Sequence, residues 1–166
     1  MKIFNYLKKP INHGRNSLAI IYYYYKCLKL AAKINYLARY QSLKIALAES
    51  CTLGLASNFV GFYPGSSSYF LGSIIAYDNY LKNKLLGVSE RLLKEYGAVS
   101  KESAIAMCDG LNQSLDPTIM VSITGIAGPQ NDYQQKRTGL VFICLKQAKD
   151  NKIQQFHFRG NRLLIR

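Results

Sequence analysis

Strand-like and helical stretches alternate along this chain, and that alternation confines it to the α/β class. Residues 43–48 form a short apolar run that reads as a buried strand, and residues 52–60 follow with a helical pattern. Residues 69–77 (YFLGSIIAY) are rich in aromatic and β-branched side chains and read as a second strand. Helices are expected over 79–86, stopped by Gly87, over a segment capped by Ser89 that ends at Gly97, and over 101–111, opened by Ser100. On the last of these, Ala104, Met107, Cys108 and Leu111 share one face. Residues 118–124 are a further strand, and 138–146 and 153–158 a closing hairpin around Asp150 and Asn151. Strands separated by helices pair in parallel and the hairpin antiparallel, so the sheet is mixed.

At 166 residues the chain is long enough for one domain with a sizeable core. Its net charge of +13 is uneven: nine Lys/Arg and no acid precede Glu49, which puts +9 in the first 48 residues. Residues 1–17 read as a mobile basic leader, and 18–39 as a helix with Leu18, Ile21, Tyr25, Leu28, Ala32 and Tyr36 on its packed stripe. The run Tyr22-Tyr23-Tyr24-Tyr25 is read as part of that packed face rather than as a stacking platform for bases. A basic arm suits nucleic acid or an anionic membrane surface, but no nucleic-acid fold signature accompanies it, so nucleic acid is not expected as a partner. The apolar run before Lys26 is too short to span a bilayer. The four cysteines form no CxxC pair and the two histidines are isolated, which argues against a metal site and for reduced thiols in the cytoplasm.

The stretch AESCTLG, residues 48–54, is where chemistry concentrates. Ser50 falls where a strand gives way to a helix, a place where free backbone N–H groups favour an oxyanion. Ser50 and Thr52 are equally good helix caps, and Cys51 reads as a small packing residue. A serine needs a base, and neither His13 in the leader nor His157 in the last strand is well placed. The alternative is a lysine made neutral by burial; several exist, and spacing alone does not choose one.

Six blocks stand in order: AESCTLG, SIIAYDNYLKNKLLGV, YGAVSKESAIAM, SITGIAGP, TGLVFICL and FRGNRLLIR. Together they resemble the CinA C-terminal domain family, the nicotinamide-nucleotide amidases also called PncC, from about residue 26 onward. The resemblance implies a three-layer α/β/α domain over 18–166 with a mixed sheet. It implies hydrolysis of nicotinamide mononucleotide to nicotinate mononucleotide and ammonia, with no cofactor and no metal. The family serine falls on Ser50, its lysine on Lys82 and its tyrosine on Tyr77; these are the implied catalytic residues. Thr52, Asn79, Thr124 and Gly125 are implied at the substrate, and Arg162 at its phosphate, which a guanidinium fork suits. Lys136 and Arg137 read as exposed loop charges.

The sequence also departs from the family pattern. Leu53 stands in place of a glycine and predicts a crowded pocket; Asn161 stands in place of an aspartate and predicts a weaker anchor for Arg162. The residues 130–133 are bulkier than the family's loop, and the last helix is cut to about one turn, which predicts an exposed sheet face covered by the N-terminal helix or by a homo-oligomer. These departures leave a second reading, an inactive relative that still binds a pyridine nucleotide or a protein.

Overall fold

The computed structural model describes residues 14–115, 117–129, 136–148 and 150–166. Strand β1 (Ile45–Glu49) is buried along its whole length because helices cover both of its faces. It lies between two parallel neighbours, β2 (Phe70–Ile75) and β3 (Ile119–Gly125). Antiparallel β4 (Leu140–Gln147) and β5 (Asp150–His157) complete the order β2-β1-β3-β4-β5.

Alternation along β1 decides what each face meets. Ala46 and Ala48 join Met120 and Cys144 on one side. There they pack on α3 (Asn79–Leu86), α4 (Glu90–Tyr96) and α5 (Lys101–Leu115), whose Ala104, Met107, Cys108 and Leu111 are completely buried, as their spacing predicts. Ile45 and Leu47 point the other way, into a cluster with Tyr69, Ala38 of α1 (Gly14–Tyr40) and Ala56 of α2 (Leu55–Val60). The short α6 (Arg162–Ile165) sets Ile165 against Cys51, Ile123, Ala127 and Val141, on the same side as α2. The result is a three-layer α/β/α sandwich around a mixed sheet.

Four expectations change. The N-terminal helix starts at Gly14, so residues 14–17 are helical rather than leader; residues 1–13 lie outside the described residues, as do 130–133. Its packed face is not the tyrosine stripe: Tyr22, Tyr23, Tyr24 and Tyr25 are exposed, and so are Leu18, Ile21, Ala32 and Tyr36. The buried positions are instead the small side chains Ala31 and Ala38; Ala38, with Ile34 beside it, joins Ile45, Leu47 and Tyr69, and the helix packs chiefly on α2 and α6, where slim side chains allow close approach. Tyr24 touches the body through an edge contact with Phe59. The helix after β1 begins at Leu55, three residues later than expected, after a turn over 51–54. Asp150 and Asn151 are not the hairpin's turn: they pair with Gln147 and Lys146 inside the ladder.

One glycine fixes how α5 crosses the end of α3. A Cβ built on Gly110 falls 2.1 Å from the Leu86 carbonyl oxygen, so the two backbones touch there with no room for a side chain. Gly110→Ala is expected to destabilise the protein by about 1–3 kcal/mol, the usual cost of overpacking, measured as a lower urea midpoint with an unchanged slope.

Candidate active site at the carboxyl edge of the parallel strands

Three parallel strands end side by side, and the residues that follow them build the site. Ser50 comes directly after β1; its N–H donates to the Ile123 carbonyl at 2.9 Å, which continues the β1–β3 register and puts Ser50 beside Thr124. Tyr77 follows β2, where the Ala76 N–H donates to the Glu49 carbonyl at 2.8 Å. Gly125 ends β3. In open α/β sheets such an edge, between strands whose connections leave in opposite directions, is where ligands bind.

Lys82 is the unusual member. It sits on α3, held at its start by the Asp78 side chain accepting from Tyr80 N at 2.8 Å, and is only 1% exposed. Its Nζ donates to the Tyr77 carbonyl at 3.0 Å. Burial, partly offset by Asp78 and by the Cys51 thiol, lowers its pKa from 10.5 to about 8. Tyr77 in turn follows Ala76, which is bonded to the Glu49 carbonyl, so the anchor of Lys82 lies next to the start of the Ser50–Cys51 turn. Alternation carried past Glu49 turns Ser50 to the α3–α5 side of the sheet, from which Lys82 enters. Among the described residues Ser50 Oγ has no hydrogen-bond partner, and Lys82 Nζ bonds the Tyr77 backbone rather than Ser50.

The other expected residues divide. Thr52 is buried at the same turn, and its hydroxyl has no partner among the described residues. Arg162 reaches the site: Nη2 donates to the Tyr77 hydroxyl at 3.2 Å and Nη1 to the Gly128 carbonyl at 2.7 Å. Asn161 does not leave α6 loose, because its side chain accepts from Leu164 N and caps the helix. Thr124 spends its hydroxyl on the Ala98 carbonyl at 2.7 Å, tying β3 to the segment before α5. Gly125 has Val141 and Leu140 of β4 where a Cβ would go, so its smallness serves strand packing. Asn79 lines a separate cavity of about 460 Å³ between α3 and α4, with Tyr80, Asn83, Glu90, Leu93 and Lys94. Neither Ser50 nor Lys82 lines it, and concavity there is not accompanied by a buried titratable group, so the carboxyl edge is the better site. Lys136 is no free loop charge: its ammonium donates to the Tyr96 and Val99 carbonyls, both at 2.8 Å. Cys51 packs in the core as expected, and burial pushes its thiol up to about 11, far from a reactive thiolate.

Two residues were not foreseen. Glu49 is completely buried, and its carboxylate accepts from Gly54 N at 2.9 Å, Ala56 N at 3.2 Å and Ser57 N at 2.7 Å, and from the Ser57 hydroxyl. It therefore caps α2, and neither Ser50 nor Thr52 does. The available signal was an acid ending an otherwise apolar strand just before a helix. Arg166 donates from Nη2 to the Thr52 carbonyl at 3.0 Å, a contact across 114 residues that no local pattern announces. Leu53, at φ +52° and 37% exposed, is left-handed and so carries a backbone cost.

Fold and edge together define an α/β/α domain of the kind that binds a small molecule at the carboxyl ends of parallel strands. The profile of the CinA C-terminal domain matches residues 28–166, and the chain belongs to that family. A CinA-like protein of Geobacter metallireducens is 45% identical over 130 residues, which cover 78% of this chain and 32% of the relative. A CinA-like protein of Syntrophomonas wolfei is 44% identical over 123 residues, covering 74% and 30%. The chain thus spans about a third of the length of the curated relatives it matches. Among solved structures, the competence/damage inducible protein CihA of Agrobacterium tumefaciens superposes with a TM-score of 0.79 at 29% identity, over 84% of this chain and 87% of that one. The CinA superfamily protein of Escherichia coli gives 0.81 at 24% identity, over 84% and 82%, which speaks to the fold alone.

Two outcomes are expected from this geometry. Below pH 8 Lys82 is charged in both the folded and the unfolded chain, so the full cost of burying its charge is present. Between pH 8 and 10.5 the folded protein sheds that proton first and the cost fades. The gap between 10.5 and about 8 corresponds to about 3 kcal/mol, of which losing the Tyr77 bond takes back about 1. Lys82→Met is therefore expected to raise stability at pH 7, with the advantage shrinking from pH 8 to 10.5 in a series of urea titrations. Leu53→Gly removes the left-handed strain and is expected to stabilise by about 1 kcal/mol, read as a higher thermal midpoint.

Proposed function

We propose that this domain hydrolyses the carboxamide of nicotinamide mononucleotide, releasing ammonia and nicotinate mononucleotide through a Ser50–Lys82 pair. The observation that carries the reading is Lys82: a buried amine with a pKa near 8 beside the turn that holds an unpartnered serine. An amine in that range is neutral in a usable fraction at physiological pH, which a general base requires.

In this reading Ser50 Oγ attacks the amide carbon while neutral Lys82 takes its proton. The C–N bond breaks, Lys82 returns the proton to the departing nitrogen, and ammonia leaves an acyl-enzyme. Water then attacks the acyl carbon as Lys82 accepts its proton; the bond from that carbon to Ser50 Oγ breaks, Lys82 hands the proton to Oγ, and the carboxylate is freed. Leu53 N already donates to the Ser50 carbonyl at 3.3 Å, whereas Cys51 N and Thr52 N donate to no carbonyl among the described residues; these two amides are the oxyanion donors. Arg162, fixed by Tyr77 and Gly128, keeps guanidinium hydrogens for the 5′-phosphate, and Thr52 offers its unpartnered hydroxyl.

The second reading, a binder without turnover, is favoured by one observation: Lys82 Nζ bonds the Tyr77 carbonyl rather than Ser50. Product analysis separates the two. Amidase action gives ammonia and nicotinate mononucleotide from wild-type protein, lost by about 10³-fold or more in Ser50→Ala and in Lys82→Ala. Its kcat/KM rises with pH through a midpoint of about 8, because only the neutral amine works. Thermal stabilisation by the nucleotide with no product above the Ser50→Ala background would establish the binder instead.

A further inference from the structure

The turn after β1 is held in an unfavourable shape. Leu53 at φ +52° and Gly54 at φ +89° are successive left-handed residues, and the first carries a side chain. Such a conformation persists only where its surroundings over-determine it. Part of the restraint is local: the Ser50 carbonyl accepts from Leu53 N at 3.3 Å and the Thr52 carbonyl from Leu55 N at 3.1 Å. Part comes from Glu49, which holds the amides of Gly54, Ala56 and Ser57.

The remaining restraint arrives from the far end of the chain. Arg166 Nη2 is a second donor to the Thr52 carbonyl, at 3.0 Å. Its Nε is buried without a partner among the described residues, so the inner end of the half-buried guanidinium is committed to this place. A group that spends its outer nitrogen on a main-chain carbonyl and hides its inner one is poorly disposed to receive a ligand. One helical turn earlier, Arg162 bonds Tyr77 and the Gly128 carbonyl. The arginine that opens α6 and the one that caps its end thus touch the segments that follow all three parallel strands.

We infer that Arg166 is a positioning residue for Ser50: from α6 it clamps the strained turn over residues 50–54 and so fixes the serine hydroxyl. The catalytic consequence rests on the amidase reading; the clamp itself does not. Holding a nucleophile in its productive geometry acts on kcat, since it leaves substrate binding untouched and removes wasted orientations.

The test combines hydrogen exchange with kinetics on the full chain, using Arg166→Met, Arg166→Lys, Leu53→Gly and the double variant Arg166→Met with Leu53→Gly. In Arg166→Met the amides of residues 53–57 are expected to exchange about tenfold faster, while those of β1 and α5 keep their protection. With nicotinamide mononucleotide, kcat is expected to fall about tenfold with KM within about twofold and the pH midpoint unmoved. Arg166→Lys, whose ammonium still reaches the carbonyl, restores part of both losses. The Arg166→Met penalty is smaller in the Leu53→Gly background, because a glycine turn has less strain to oppose. Unchanged exchange at residues 53–57 in the Arg166 variants overturns the clamp; so does a raised KM with kcat preserved, which is the pattern of a substrate ligand. If Arg166→Met does not fold, Arg166→Lys carries the comparison. If no protein, wild type included, turns over the nucleotide, the amidase reading fails and the exchange data alone decide the clamp.

Discussion

The buried carboxylate of Glu49 is the constraint on which the site depends. A carboxyl group taken out of water must be surrounded by hydrogen-bond partners, and here they are the first amides of α2 and the Ser57 hydroxyl. Strand and helix are thereby locked at one angle, with the intervening turn compressed into residues 50–54. The same residue's backbone carbonyl binds Ala76 N, so the end of β2 is set against the same point. Ser50, Tyr77 and the start of α3 inherit their relative positions from this junction.

Lys82 works in the opposite direction. Its burial beside Cys51 and under the α3 layer costs stability, and the fold tolerates it because α3 and α5 pack tightly through Gly110 and because Asp78 and the Tyr77 carbonyl compensate in part. A chain selected for stability alone would place a methionine or leucine there, as it does at Met107 and Leu111 one helix away. A lysine retained in that position is a property to be explained by chemistry, which is why it weighs more than the cavity between α3 and α4.

The structure is closed by helices whose buried faces are narrow. α1 buries Ala31 and Ala38 and leaves its tyrosines outside, some paired with their own lysines: Lys26 lies over Tyr22 and Lys29 over Tyr25, each 4.7 Å from the ring centre. The aromatic residues, although the most conspicuous feature of the first 40 positions, contribute little to the core. Periodicity in that helix is legible, but its phase is not, because large apolar side chains ordinarily mark the buried side, whereas close packing on α2 and α6 favours small ones.

Elsewhere the sequence alone determined a good deal. The mixed α/β order, the buried first strand, the boundaries of α3 and α4 and the apolar face of α5 followed from periodicity and from capping residues such as Ser89 and Gly87, which act over four or five positions. The ordered blocks carried the family. What only the tertiary structure decided are contacts between distant segments: Glu49 rather than Ser50 as the cap of α2, Lys136 bound to the carbonyls near Val99, Gly110 against Leu86, and Arg166 on Thr52. Lys82 was singled out by resemblance, but its lowered pKa is a consequence of burial. Burial is set by everything packed around a side chain, and no stretch of sequence contains that information locally.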